Sequence, residues 1–184
     1  MIYVTKSMIE EVILIDEHDT ELGRCEKLEA HKLGLLHRAF SILVFNSNGD
    51  YLLQRRALDK YHCGGLWSNA CCSHPRPGER VIDAAHRRLK EEMGFDCGLE
   101  EFFKQAYKFE FRNGLTENEI DHVLIGNYDG DVKINPKEVA EYKWVSSSTL
   151  LREVAANPER YTPWFREILK KRSLDKVRFK NKLS

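Results

Sequence analysis

Short runs of apolar residues along this chain are typical of β-strands, and the stretches between them are polar and rich in turn-forming residues. The apolar run at 38–45 is followed by a polar turn at 46–50 and a second run at 51–55, which together predict a β-hairpin. We predict strands at 11–16, 22–28, 38–45, 51–55, 102–111, 119–127 and 141–145. The first half of the chain is therefore expected to form mainly strands.

The clearest helical pattern covers 79–94. Its apolar residues recur every four positions and a glycine ends it, at Val81, Ala85, Leu89, Met93 and Gly94. The serines before Thr149 predict an N-cap for a second helix that runs through Ala156, and Pro163 predicts the start of a last helix. Because we find no internal repeat and no linker, we expect a single α/β domain over residues 1–184.

Composition and charge restrict the functional classes. The 184 residues suit one globular domain, and 29 basic residues balance 29 acidic ones, so net charge gives no argument for a nucleic-acid partner. No apolar run reaches the length of a membrane span, and the first residues lack the layout of a signal peptide. Five irregularly spaced cysteines argue against a disulfide framework, so a cytoplasmic location is expected. The basic segment at about 173–184 is interpreted as a solvated, frayed tail.

The segment 67–75 holds the first candidate chemistry, because a thiol and an imidazole stand two positions apart in it. Side chains two positions apart on an extended segment point the same way, so Cys72 and His74 can face one cavity. A reactive thiolate needs a nearby positive charge or metal to lower its pKa. The alternative is a buried cysteine beside a surface histidine.

Two sets of carboxylates extend this picture. Glu92 lies beside the apolar stripe of the predicted helix, where a carboxylate is costly unless donors or a cation compensate it. A metal ion is one such compensation, and an ion pair with Arg88 is another. Glu117 and Glu119 share one side of a predicted strand, with Asp121 next in line. A solvent-facing edge strand explains the same pattern, and the flanking residues do not decide between the two.

Three histidines complete a candidate metal site. Imidazoles at His31, His37 and His74 combine with the carboxylates of Glu117 and Glu119. Such a set suits a five- or six-coordinate divalent ion and not a thiolate zinc cage. The ligand types alone leave Mn²⁺, Zn²⁺ and Mg²⁺ open as the bound ion.

The predicted helix and its flanks resemble the Nudix box, G-x5-E-x7-R-E-U-x-E-E-x-G-U, where U is bulky and aliphatic. The matching residues are Glu79, Arg87, Leu89, Glu91, Glu92 and Gly94. The departures are Ser73 at the first glycine, Phe95 at the last aliphatic position, and Arg88 at the second glutamate. The resemblance implies an α/β fold with a mixed sheet sandwiched between helices. Because that glutamate binds metal in Nudix hydrolases, Arg88 argues against an ordinary pyrophosphohydrolase.

Nearly the whole chain, from about residue 11 to residue 171, resembles the type I isopentenyl-diphosphate isomerases, in which an arginine at that box position is usual. The segments that carry the resemblance are 26–31, 34–41, 55–60, 65–69, 72–75, 117–119 and 162–164. The resemblance implies interconversion of isopentenyl and dimethylallyl diphosphates, in which one carbon gains a proton and another loses one. It implies a small-molecule diphosphate partner, no nucleic acid and no membrane. It leaves the oligomeric state open, a monomer included.

The resemblance also implies roles for individual residues. Glu119 is expected to protonate the alkene, with Tyr107 in the relay, and Cys72 to take the allylic proton. The ring of Trp164 is expected to stabilise the cationic carbon. The diphosphate is expected to contact Lys27, Arg56, Lys60 and Arg88. A Mg²⁺ ion is expected to bridge Glu92 and the diphosphate. A tightly bound divalent ion (Mn²⁺, Zn²⁺ or Mg²⁺) is expected on His31, His37, His74, Glu117 and Glu119.

Two other classes stay open on the sequence. A Nudix hydrolase that acts on a nucleoside diphosphate would release inorganic product, and both Arg88 and Cys72 count against it. A non-catalytic Nudix-fold module that binds RNA through the basic tail would lack bound metal. The complete set of candidate metal ligands counts against that class.

Overall fold

The computed structural model describes residues 10–171, so the predicted tail at about 173–184 lies outside the described residues. Within that range nine strands pair into one sheet. The strands are β1 (Glu11–Ile15), β2 (Glu21–Glu26), β3 (His37–Phe45), β4 (Tyr51–Arg56), β5 (Trp67–Asn69), β6 (Cys71–Ser73), β7 (Leu99–Glu110), β8 (Thr116–Asn127) and β9 (Val139–Val145). The helices are α1 (Lys27–Leu33), α2 (Val81–Met93), α3 (Ser147–Ala156) and α4 (Pro163–Leu169), with a 3₁₀ turn at Pro158–Arg160.

The centre of the sheet is β3, which pairs in parallel with β8 and antiparallel with β1, β4 and β6. β8 pairs antiparallel with β7, and β4 pairs antiparallel with β5 and β9. β2 lies beside β1. The sheet is therefore mixed, and its parallel pair joins two segments that are far apart in the chain.

Side chains of β3 alternate between two apolar cores, one on each face of the sheet. Phe40, Ile42 and Val44 pack with the apolar side of α2. Leu43 and Phe45 pack with α3 and α4 on the opposite face. The sheet therefore lies between helices, and the predicted α/β architecture is confirmed.

The helical predictions are confirmed at α2, α3 and α4. Gly94 ends α2 in the left-handed conformation with φ 74°, and its backbone N–H donates to the carbonyl of Lys90. A Cβ at this position would also collide with the backbone oxygen of Lys133, so glycine is required for two reasons. Among the described residues, no helix combines the length and apolarity needed to cross a membrane.

The strand predicted at 22–28 is wrong in its last residues, because β2 ends at Glu26 and α1 begins directly after it. The Glu26 carboxylate accepts hydrogen bonds from the backbone N–H groups of Leu28 (2.9 Å) and Glu29 (2.8 Å). Capping of these free N–H groups lets a short helix start where the apolar pattern suggested a strand. Gly34, with φ 63°, closes the helix.

Candidate active site

Three neighbouring strands place a histidine, a glutamate and a tyrosine in one row. Glu119 of β8 stands opposite His37 of β3 on one side and opposite Tyr107 of β7 on the other. Glu119 Oε1 lies 3.3 Å from His37 Nε2, and Tyr107 donates a 2.5 Å hydrogen bond to Glu119 Oε2. Glu119 shares its strand face with Val123, which packs in the core beneath α3 and α4. The row therefore lies on the α3/α4 face of the sheet.

Helix α1 adds a second imidazole to this row. His31 Nδ1 donates to the carbonyl of Lys27 at 2.6 Å, one helical turn earlier, and His31 Nε2 lies 3.3 Å from Glu117 Oε2. His37 is oriented in the same manner, since its Nδ1 donates to the carbonyl of Leu35 at 2.8 Å. Backbone acceptors thus fix both rings so that Nε2 faces the carboxylates, as is usual for metal-binding histidines.

Five side chains converge at this point, and their ligand atoms all lie within 4.8 Å of one another. We call this group the His/Glu cluster; it consists of His31, His37, His74, Glu117 and Glu119. Two of its buried ring nitrogens, His31 Nε2 and His37 Nε2, have no hydrogen-bond partner among the described residues. A ring nitrogen that faces a carboxylate oxygen is repelled by it unless positive charge lies between the two atoms. A second proton on the ring or a metal ion can supply that charge. The residues therefore fit a divalent cation.

The titration behaviour of the cluster agrees with that fit. Burial lowers the pKa of His31, but Glu117 outweighs it and raises the pKa overall, so positive charge is attracted to this ring. Burial lowers the pKa of His74 to about 3, and this ring therefore does not take up a proton at neutral pH. A divalent ion would supply the positive charge while both rings stay neutral, which is the state in which imidazole binds metals.

The interpretation of 117–121 as the solvent face of an edge strand is wrong. β8 is paired on both sides, and Glu117, Glu119 and Asp121 are all buried. Asp121 lies outside the His/Glu cluster and accepts hydrogen bonds from Ser41 (3.0 Å) and Gln105 (3.4 Å). Burial, together with the charge of Glu119, raises the pKa of Asp121 to about 8.

The two adjacent thiols of β6 face opposite sides of the sheet. Cys71 is fully buried in the core against α2, whereas Cys72 stands opposite Ser41 of β3 on the α3/α4 face. Cys72 donates to Asn69 Oδ1 at 2.9 Å and accepts from the indole N–H of Trp164 at 3.0 Å. The β-strand alternation therefore separates a packed cysteine from one with a polar environment.

Burial is the largest influence on the protonation of Cys72. Burial raises its pKa to about 12 and the charge of Asp121 adds to the effect, while hydrogen bonds to Ser41 and Ser68 oppose it. The resting group is thus a thiol and a proton donor, rather than the thiolate that a nearby positive charge would favour.

One cavity of about 60 Å³ joins these groups, and it opens toward an outer chamber of about 560 Å³. All the predicted catalytic residues line the cavity: Cys72, Tyr107 and Glu119. The four predicted diphosphate contacts and the predicted ring also line it: Lys27, Arg56, Lys60, Arg88 and Trp164. We call the four basic residues the cationic cradle. His31 and His37 lie behind the cavity wall and are completely buried.

Glu92 lies on α2 outside the His/Glu cluster, although it lines the same cavity. Its carboxylate accepts from Arg88 Nη2 at 2.6 Å and from Gln54 Nε2 at 2.9 Å. The ion pair with Arg88 that the sequence left as an alternative is therefore present. Both partners leave a lone pair on each oxygen, so a cation can still approach from the cavity.

Two cavity residues were missed by the sequence reasoning. The His62 ring contacts Glu117 Oε1 through Nε2, and its Nδ1 lies 3.3 Å from Arg56 Nη2. Glu138 pairs with two residues of the cationic cradle. The position of His62 in a Gly- and His-rich loop after Arg56 was an available signal, whereas Glu138 stands in a turn with no distinguishing pattern.

Comparisons with known proteins show the family to which this chain belongs. The NUDIX domain family matches residues 35–165. A protein of Aromatoleum aromaticum named isopentenyl-diphosphate Delta-isomerase 2 is 53% identical over 85% of this chain and 83% of its own length. A Burkholderia multivorans protein named isopentenyl-diphosphate Delta-isomerase is 50% identical over 91% of this chain and 95% of its own.

Solved structures support the fold. A crystal structure of a Deinococcus radiodurans protein superposes with a TM-score of 0.73 at 18% identity, covering 88% of this chain and 98% of the other. A MutT protein from Methanosarcina mazei superposes with a TM-score of 0.60 at 25% identity, covering 73% and 91%. The chain belongs to the Nudix superfamily and, within it, to the isopentenyl-diphosphate Delta-isomerase family.

Proposed function

We propose that this protein interconverts isopentenyl and dimethylallyl diphosphates by protonation and deprotonation, as a step of isoprenoid biosynthesis. Relatives at 50–53% identity carry the isomerase name. The observation that carries the proposal is one cavity lined by a thiol, by a carboxylate hydrogen-bonded to a tyrosine, and by four cations. Such a cavity suits a small anionic substrate that must gain one proton and lose another.

Cys72 and Glu119 are proposed as the proton-transfer pair. An unactivated alkene is a poor base, so the reaction needs a strong acid on one carbon and a base for the allylic proton on another. In the direction toward dimethylallyl diphosphate, Glu119 gives the proton with Tyr107 in the relay. Because the resting Cys72 is a thiol, it must first lose its own proton, and the thiolate then accepts the allylic proton. In the reverse direction the thiol is the donor, which matches its raised pKa.

Trp164 is proposed to stabilise the cationic carbon that forms between the two proton transfers. Its ring lines the cavity, and its N–H donates to Cys72 Sγ at 3.0 Å, so the indole is oriented beside the reacting groups. A cation over a desolvated indole ring gains roughly 0.5–2 kcal/mol. The N–H donor also favours the thiolate that must form on Cys72 in one direction.

The His/Glu cluster is proposed to hold one divalent ion, Mn²⁺, Zn²⁺ or Mg²⁺. When bound, such an ion would fix positive charge beside the carboxylates and so set the acidity of the carboxyl group that gives the proton. A separate Mg²⁺ is proposed to accompany the diphosphate near Glu92, because hard oxygen ligands suit that ion. The chain's own contribution is to hold Glu119 in place through His74, whose Nε2 lies 2.8 Å from Glu119 Oε1.

The cationic cradle is proposed as the diphosphate site. Guanidinium groups match phosphate oxygens in a fork geometry, and lysines add point charge. Arg56 lies with Cζ 5.4 Å from the centre of the Trp164 ring, so the cradle and the ring proposed for the hydrocarbon are adjacent. We also propose a cytoplasmic location, a small-molecule partner and no nucleic-acid or membrane partner. The five cysteines of the described residues are all free, as a reducing compartment favours.

Incubation with isopentenyl diphosphate and Mg²⁺ in deuterated water tests the proposal. We expect dimethylallyl diphosphate with deuterium in the new methyl group, because a solvent-exchangeable acid supplies the proton. Mass spectrometry and proton NMR of the product measure both. Free phosphate or pyrophosphate without any isomer would refute the proposal and favour a Nudix hydrolase.

A further inference from the structure

One carboxylate in the cavity has no role in the proposed chemistry. Glu138 lies in the turn before β9, where its backbone N–H donates to the carbonyl of Asn135 at 2.9 Å. Its own carbonyl accepts from the N–H of Ala57, also at 2.9 Å, beside Arg56 of the cationic cradle. The backbone of Glu138 is therefore tied to the segment that carries two cradle residues, Arg56 and Lys60.

The side chain of Glu138 points into the cationic cradle. A single oxygen, Oε2, contacts Lys60 Nζ and lies 3.3 Å from Arg88 Nη2. The Glu138 side chain is 22% exposed, so the pair is partly screened by solvent. Glu138 lines both the inner cavity and the outer chamber, so it stands where the two meet.

An oxygen anion between a lysine and an arginine imitates a phosphate oxygen. Ammonium and guanidinium groups bind carboxylate and phosphate with the same donors and similar geometry. A diphosphate that reached these two donors would have to displace the carboxylate or share them with it. A carboxylate kept close to a multiply charged anion also costs energy through repulsion.

The other acids of the cavity differ in this respect. Glu117 and Glu119 belong to the His/Glu cluster, and Glu92 is hydrogen-bonded by Gln54 as well as Arg88. The contacts of Glu138 are instead with the two basic residues that the substrate would use. Of these carboxylates, Glu138 is therefore the one that bridges two residues of the cationic cradle.

We propose that Glu138 is an internal anion that competes with the diphosphate for Lys60 and Arg88 and thereby limits how tightly substrate and product are held. The proposal rests on the proposed function, since it takes the cationic cradle to be the diphosphate site. Both isomers carry the same diphosphate, so tighter binding of that group holds substrate and product equally and does not raise turnover. Because Glu138 competes for Lys60 and Arg88, the diphosphate is held less tightly and the product is released quickly.

The test compares wild type with Glu138→Gln in binding to inorganic pyrophosphate with Mg²⁺, measured by calorimetry. Glutamine keeps the size of the side chain and an acceptor oxygen but removes the charge. We expect pyrophosphate to bind at least about tenfold more tightly to the variant, and dimethylallyl diphosphate to become a stronger product inhibitor. The matched control is Glu141→Gln, on the strand that follows Glu138, whose side chain is 56% exposed and 3.6 Å from Arg55. This control should bind as wild type does.

The outcomes separate the two proposals. If wild type does not bind pyrophosphate, the proposed diphosphate site is wrong, and the proposed competition for that site is wrong as well. Wild type that binds, with unchanged or weaker binding in Glu138→Gln, would overturn the competition alone and make Glu138 a residue that positions Lys60 and Arg88. If Glu138→Gln does not fold, Glu138→Asp withdraws the carboxylate by one methylene. Tighter binding in that variant supports the proposal, and unchanged binding overturns it.

Discussion

The His/Glu cluster and the cationic cradle border one cavity but differ in how their polar and charged atoms are paired. In the cluster, the buried Nε2 atoms of His31 and His37 have no hydrogen-bond partner among the described residues. In the cradle, Lys60 and Arg88 already share the carboxylate of Glu138. A buried polar atom without a partner costs about 1–3 kcal/mol, whereas a paired charge does not carry that penalty.

From this difference we expect a permanently bound ligand in the His/Glu cluster and an exchanging ligand in the cationic cradle. A bound ion would satisfy the Nε2 atoms of His31 and His37, which have no other partner among the described residues. We therefore expect the His/Glu cluster to hold its ion through many turnovers. Two residues of the cradle, Lys60 and Arg88, are already paired with a carboxylate of the chain, so we expect the ligand of the cradle to enter and leave in each turnover. The variants below are expected to affect chemistry, metal content, substrate affinity and stability, in that order of size.

The largest effect is expected at Cys72, which lines the cavity that the two regions border. Cys72→Ala should lower turnover by roughly 10²–10⁴-fold or more, because general acid–base groups contribute on that scale and no other base is evident. Cys72→Ser should also be badly impaired, since a hydroxyl is far less acidic than a thiol. Cys71→Ala, whose thiol faces α2, is the matched control and should keep most activity. Equal and mild losses in all three folded variants would remove cysteine from the mechanism.

The next largest effect concerns the metal. Purified protein should contain one tightly bound divalent ion per chain, lost in His74→Ala and weakened in Glu117→Gln, as measured by elemental analysis. His86→Ala is the control, because this ring pairs with Asp96 at 2.6 Å outside the cluster. A chelator should lower the melting temperature, since an ion present at 100 times its Kd stabilises the fold by about 2.7 kcal/mol. Unchanged metal content in both cluster variants would show that the ion binds elsewhere.

Loss of a cradle charge should act mainly on substrate affinity. Lys60→Ala is expected to raise KM by roughly 10- to 100-fold with a smaller change in kcat, because a hydrogen bond to a charged group contributes about 1.5–3 kcal/mol. Lys108→Ala removes an exposed lysine on β7 and serves as the control. Steady-state kinetics at two salt concentrations measures the effect. A fall in kcat with KM unchanged would argue that Lys60 acts on the chemistry instead.

The smallest effect on catalysis is expected at Gly94, where the stability changes instead. Gly94→Ala forces a Cβ into the left-handed region, at a cost of about 1–2 kcal/mol, and against the Lys133 oxygen. Urea unfolding should show the loss, while the folded fraction keeps near-normal turnover. Gly98→Ala, where a Cβ meets no atom within 4 Å, should change stability little. Equal stability of the two variants would contradict this account of the α2 end.

Some candidate site residues had a local signal in the sequence, whereas Tyr107, Trp164 and the cationic cradle were expected only from the family resemblance. Cys72 and His74 stand two positions apart, and Glu92 interrupts an apolar helical stripe. Glu138 had no such signal, and His62 had only the composition of its loop. Their importance arises from contacts with Lys60 and Glu117 that only the folded chain creates. Local pattern can show that a residue is unusual, but not which distant partner it meets.

The fold shows the same limit at two places. α2 was predictable because apolar residues recur every four positions across its 13 residues. α1 was missed because it has only 7 residues and depends on the Glu26 cap and on tertiary packing. The environment of 117–121 was undecided because β8 is buried on both faces, so its two sides do not differ in polarity.

The parallel pairing of β3 with β8 has a consequence for how the protein matures. Residues of the two strands whose side chains are hydrogen-bonded, such as Ser41 and Asp121, are 80 positions apart in the chain. Pairings of such high contact order form late and slowly, after the local hairpins. The proposed metal ligands of α1 and β3 thus meet those of β8 only near the end of folding. A newly made chain should be unable to acquire its ion, and therefore inactive, until this long-range pairing is complete.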